Sequence, residues 1–151
     1  MPSFSPVVMI PVAVVFLAGI GFAVQAPLNA ALSRTIGGGL AAASISFGVG
    51  FAVLLVLALA FGQGGAIARG LSAPPLLLAG GFFGAATVWA MLWSVPIVGV
   101  FTAIAALLLG QLGAALVLDA LGAFAAPVQP VTPTRLLALA MVAGGLVLSR
   151  L

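Results

Sequence analysis

The chain has 151 residues, 65% of them hydrophobic and 3% charged, with a net charge of +3. A soluble domain carries roughly 25% charged residues to solvate its surface. A total inventory of Arg34, Arg69, Asp119, Arg135 and Arg150 therefore excludes a water-facing globule and leaves lipid as the solvent. Histidine, lysine and cysteine are absent, which removes thiolate and imidazole metal ligands, disulfides and catalytic triads. With one acid, paired carboxylates are impossible, and scattered arginines make no nucleic-acid patch. The expectation is a membrane protein that is not an enzyme, with no cofactor, no metal and no nucleic-acid partner.

A membrane-spanning helix needs about 20 mostly apolar residues. The sequence divides into five such stretches within a single transmembrane domain over residues 1–151. The first runs from Val7 to Ser33 and ends in the turn Thr35-Ile36-Gly37-Gly38-Gly39. The second runs from Leu40 to Phe61 and ends in Gly62-Gln63-Gly64-Gly65, which lacks the lysine of a phosphate-binding loop. A linker with Arg69 leads to the third, residues 74–94. It opens on Pro74-Pro75, where the first helical turn needs no N–H donor. The fourth, residues 97–121, follows almost at once, which predicts a tight reversal. A linker with Pro127, Pro130 and Pro133 precedes the fifth, residues 134–151, for which Thr132-Pro133 reads as N-cap and first-turn proline. The fold class is all-α and polytopic. Alternating polar and apolar residues, the mark of a membrane β-barrel, are missing.

Orientation follows the basic residues that flank the spans. With five spans, Arg34 and Arg150 fall on one side and Arg69 and Arg135 on the other. This balance suggests insertion in both orientations. An odd number of spans inverts on duplication, and many transporters pair two inverted repeats around a midplane site. The chain therefore reads as half of a ten-helix inverted-repeat transporter fold. It would act as a homodimer, inverted or not, or as a heterodimer with a related chain.

Polar residues within the spans are the candidate site. Gln25 and Asn29 lie four residues apart, on one helix face. Pro27 between them removes a backbone donor and frees the Ala23 carbonyl. Such groups line transport sites in broken helices, or they bond neighbouring helices at about 0.6–2 kcal/mol each. In the fourth span, Gln111, Ala115 and Asp119 form a stripe at four-residue steps. Gln111 is read as site-lining or interhelical. An intramembrane acid defaults to a functional hypothesis with a named partner. Asp119 has two readings: proton coupling, since lipid favours a neutral carboxyl, or a structural role at the helix end, capping the turn or pairing with Arg135. Trp89 and Trp93 are also four apart. Trp93 reads as an interfacial anchor, and Trp89, a turn deeper, as an anchor or a pocket wall. Ser44 with Gly48, Ser46 with Gly50, and Gly80 with Gly84 are small-xxx-small pairs, read as helix-packing seams.

Several segments in order resemble one family. They are Gly21-Phe22-Ala23-Val24-Gln25-Ala26-Pro27-Leu28-Asn29, Ser44-Ile45-Ser46-Phe47-Gly48-Val49-Gly50, Gly80-Gly81-Phe82-Phe83-Gly84, Pro96-Ile97-Val98-Gly99, Gly110-Gln111-Leu112, Leu118-Asp119-Ala120-Leu121-Gly122, and the arginine-led stretch from Arg135 to Gly145. Together the chain resembles the YdcZ-like family, small five-helix members of the drug/metabolite transporter superfamily. Ala120 and Leu121 depart from the bulkier, more polar residues expected there. The resemblance implies a multi-pass protein of the bacterial inner membrane with a transporter-like fold. The expected function is secondary transport, as uptake by alternating access, of a small polar or amphipathic solute. Gln25, Asn29, Trp89 and Gln111 are the binding candidates. The alternative is a non-transporting interaction or assembly subunit.

Overall fold

The computed structural model describes residues 6–151, with side chains from residue 9 onward. It contains helices and turns and, among the described residues, no strand. In chain order the helices are α1 (Pro6–Ile36), α2 (Gly39–Ala60), α3 (Gly64–Gly70), α4 (Pro75–Leu78), α5 (Gly80–Val98), α6 (Val100–Leu121) and α7 (Pro133–Leu148). A 3-10 turn, Ala123–Ala125, follows α6.

Four stretches are long and apolar enough to cross a bilayer: Met9–Ile36, Gly39–Ala60, Pro75–Val98 and Val100–Leu121. The expected fifth span forms, but α7 has 16 residues, about 24 Å at 1.5 Å per residue. That falls short of the roughly 30 Å hydrocarbon layer. Past Leu148 the Ser149 N–H still bonds the Gly145 carbonyl, and the Arg150 N–H tightens onto Val147. Sequence reading also missed α3. The Gly62–Gly65 turn does reverse the chain, with Gly62 at φ +72°, but the helix restarts at Gly64 and carries Arg69. Pro96 does not stop α5, which continues to Val98. Nor do Pro11 and Pro27 interrupt α1. The first span is thus one continuous helix with Pro27 inside it, as the single stretch from Val7 to Ser33 predicts.

The chain divides into two compact units, Met1–Pro96 and Ile97–Leu151. In the first, α1 and α2 pack side by side across a turn made by Gly37 at φ +74°. The Gly38 N–H donates to the Ser33 carbonyl at 3.1 Å and closes the end of α1. The buried residues of this pair are small, Ala30 and Ala42, as expected where close backbone approach rather than the hydrophobic effect holds helices together. Of the candidate seams, Gly84 meets a neighbour: a Cβ there would lie 3.8 Å from the Phe47 ring. Gly48, Gly50 and Gly80 face open space. Ser44 returns its hydroxyl to the Leu40 carbonyl, four residues back, at 2.9 Å. Ser46 is half-buried on α2.

In the second unit α6 packs against α7. The polar contacts show that the two run antiparallel. Thr102, near the start of α6, meets Ser149, past the end of α7, at 3.3 Å. At the other end Asp119 pairs with Arg135. The connection depends on Gly122, which caps α6 at φ +59°. A Cβ at Gly122 would lie 2.7 Å from Val128 Cγ2 and 3.3 Å from the Ala126 carbonyl oxygen, so no other residue fits without movement. Thr132 caps α7 as expected, with its hydroxyl accepting from the Arg135 N–H at 3.3 Å, and Pro133 occupies the first turn.

Candidate functional site

The first unit holds the residues singled out on α1. Gln25 and Asn29 share one face and line a narrow cleft with Phe22, Ala26, Val88, Met91 and Leu92. The cleft therefore lies between α1 and α5. Asn29 is 6% exposed, and it is the one buried polar residue among those described. Neither amide has a hydrogen-bond partner among the described residues. Neither amide is fully enclosed, so both stay open to the cleft; the fully buried unpartnered side-chain atom among the described residues is Arg135 Nη1. The cleft volume is about 10 Å³, which is room for one water molecule at most.

A second, wider pocket lies beside it. It is lined by Ser33 of α1, Gly39 and Leu40 of α2, and Trp89, Leu92 and Trp93 of α5, with a volume of about 270 Å³. Leu92 lines both spaces. Trp89 and Trp93 both line this space while remaining more than half exposed, at 54% and 66%. Sequence reading missed Ser33 and Leu92. Ser33 was assigned to the end of a span, and a single leucine in an apolar run carries no signal.

In the second unit the polar stripe of α6 separates. Asp119 accepts a charge-assisted hydrogen bond from Arg135 Nη2. Its backbone carbonyl accepts from the N–H groups of Gln129, at 2.9 Å, and Gly122, at 3.3 Å. The acid therefore sits where the α6–α7 connection is tied. Ala115 lies with Leu112, Leu116, Ala138 and Leu139 along an apolar groove that also contains the Arg135 side chain. Arg135 Nη1 is buried there without a partner. Gln111 is exposed on α6 and lines none of these spaces.

The sequence model of a family described as "putative inner membrane exporter, YdcZ" matches residues 10–148. The chain belongs to this family. The match takes in α2 through α7 whole and all of α1 beyond Met9, so both units are included. With four membrane-length helices, it is a multi-pass inner-membrane protein of transporter type. The YdcZ family is described by export and not by catalysis. No curated protein and no solved structure matches the chain.

Proposed function

We propose that this YdcZ-family chain is a secondary transporter that moves a small polar or amphipathic solute across the inner membrane by alternating access. The family description favours export, the opposite of the uptake expected from the sequence. One observation carries the reading: Asn29 is a buried residue beside half-buried Gln25, and neither amide has a hydrogen-bond partner among the described residues. Amides that served as interhelical glue would find their partners on the helices they join. These face a cleft instead and offer donors and acceptors to a neutral polar group. Its small volume fits an occluded conformation, with opening on the approach of solute.

Gln25 and Asn29 are the principal binding residues in this proposal, and Trp89 flanks them. Gln111, on an exposed face, is proposed to meet a second chain. A Cβ at Gly48, Gly50 or Gly80 would meet nothing within 4 Å among the described residues, which supports a dimer with these seams at its contact. The near-equal arginine balance supports an inverted arrangement. Asp119 is assigned a structural role, because Arg135 engages it.

The test begins with purified protein and a solute library scored by thermal stabilisation. A stabilising solute is then followed in efflux from vesicles. Gln25→Ala is expected to lower its transport at least about tenfold, the equivalent of one or two lost hydrogen bonds, with wild-type expression. Unchanged transport would remove the amides from the site. If no solute stabilises the protein and it always copurifies with a larger complex, the assembly-subunit reading replaces this one. Topology reporters at the C-terminus test the inverted dimer, and a single orientation in all molecules excludes it.

A further inference from the structure

We infer that the space between Ser33, Trp89 and Trp93 is a binding pocket for a neutral aromatic solute, and that Leu92 separates it from the amide cleft. Three observations lead there. The first is shape and size. The pocket volume of about 270 Å³ approaches the roughly 300 Å³ at which small-molecule sites begin, whereas the amide cleft admits one water at most.

The second is chemistry. The pocket contains two indoles, an aliphatic side chain on either side and one hydroxyl. Indole faces stack on flat aromatic rings. They also attract cations, but none of the lining residues of either space carries a charge, so a bound cation would have no counter-ion. The chain's single acid, Asp119, is already engaged by Arg135. A neutral ring is the better fit.

The third is the Ser33 hydroxyl. Thr35, Ser44 and Thr87 each return their hydroxyl to the carbonyl four residues back in their own helix. Ser33, like Ser46 and Ser94, makes no such bond among the described residues, but of these three it is the one that lines this space. A Cβ built on Gly39 would lie 3.6 Å from Ser33 Oγ, so the small residue at 39 leaves the hydroxyl open. Ser33 can therefore bond a polar substituent while the indoles hold the ring.

The two spaces share Leu92 as a lining residue, which is why it is assigned as the partition between them. Its gating role rests on the transport reading above. Binding in the pocket does not.

Trp89 and Trp93 are the only tryptophans of the chain, and tyrosine is absent, so the indole emission of the whole protein reports on this pocket. Purified full-length protein in lipid nanodiscs is titrated with benzyl alcohol, and in parallel with benzyltrimethylammonium. A saturable change in emission with benzyl alcohol is expected, and none with the ammonium ion. Ser33→Ala, which leaves both indoles in place, is expected to weaken binding roughly two- to tenfold, one hydrogen bond's worth. Trp93→Leu, at a side chain 66% exposed and so tolerant of change, is expected to abolish saturation of the remaining Trp89 signal.

Tighter binding of the ammonium ion overturns the neutral assignment. A response that rises in proportion to concentration and is equal in all variants is partition into lipid, and it overturns the pocket. Failure here is separable from failure of the transport reading. Loss of efflux in Gln25→Ala with no saturable emission change removes only the aromatic pocket. Saturable emission with unaffected Gln25→Ala efflux removes only the amide site. For the gate, Leu92→Ala is expected to raise efflux of a bulkier aromatic alcohol relative to benzyl alcohol, and an unchanged ratio overturns it.

Discussion

The two units use their polar groups in opposite ways. In Ile97–Leu151, side chains from α6 and α7 meet at both ends of the pair: Asp119 with Arg135 at one, Thr102 with Ser149 at the other. In Met1–Pro96, the polar side chains that line spaces, Gln25, Asn29 and Ser33, have no partner among the described residues. Hydrogen bonds that join two helices stabilise a fold. Unpartnered donors and acceptors in a low-dielectric setting cost free energy, and a chain retains them where something else binds. The contrast is one of degree, since Arg135 Nη1 in the second unit is also buried without a partner, and it is what assigns recognition to the first unit in the proposed function.

Asn29→Leu strikes at the contrast most strongly. Solute transport is expected to fall to background while thermal stability in detergent holds or rises, because no hydrogen bond within the described chain is lost and the leucine has nearly the shape of the asparagine. A fall in stability of about 2 kcal/mol or more would show that Asn29 is bonded within the protein after all. Gly122→Ala tests the second unit. A left-handed residue with a Cβ costs about 1–2 kcal/mol, and contact with Val128 adds to it. A loss of about 2 kcal/mol or more is therefore expected in thermal unfolding, and an unchanged melting temperature would mean that the α6–α7 connection is not as described.

Asp119→Asn is expected to cost about 1–2 kcal/mol. That lies between the value of an exposed pair and of a buried one, since both side chains are about one-third exposed. Efflux per folded molecule should stay within about twofold, a small share of one kcal/mol, and its abolition would place Asp119 in the transport cycle. Thr102→Val is the mildest change. The long hydroxyl contact to Ser149 is worth about 0.6 kcal/mol by membrane averages, to be read as a small drop in unfolding temperature.

Particular residues show what could be read in advance. Pro74-Pro75 and Thr132-Pro133 marked helix starts because first-turn chemistry is local. Asp119 and Arg135 were paired as one option because helix ends joined by a short linker are close in any fold. Pro27 was placed inside one helix, and it lies there, since a proline weakens a helix without breaking it when neighbouring turns hold. Gly64–Gly70 was read as linker because glycine there also suits a turn. Ser33 and Leu92 were not singled out for a site, since their importance comes from standing beside α5 residues far along the chain.

By itself, the sequence determined the solvent, the all-helical class, the approximate spans and the family. Each depends on composition or on residues near one another in the chain. The tertiary structure alone decided which polar groups are partnered, that α7 stops short of a full span, and that two tryptophans and a serine share one pocket. Those facts depend on which faces of separate helices meet. In lipid, apolar residues look alike on every face, so no hydrophobic stripe announces the meeting face beforehand.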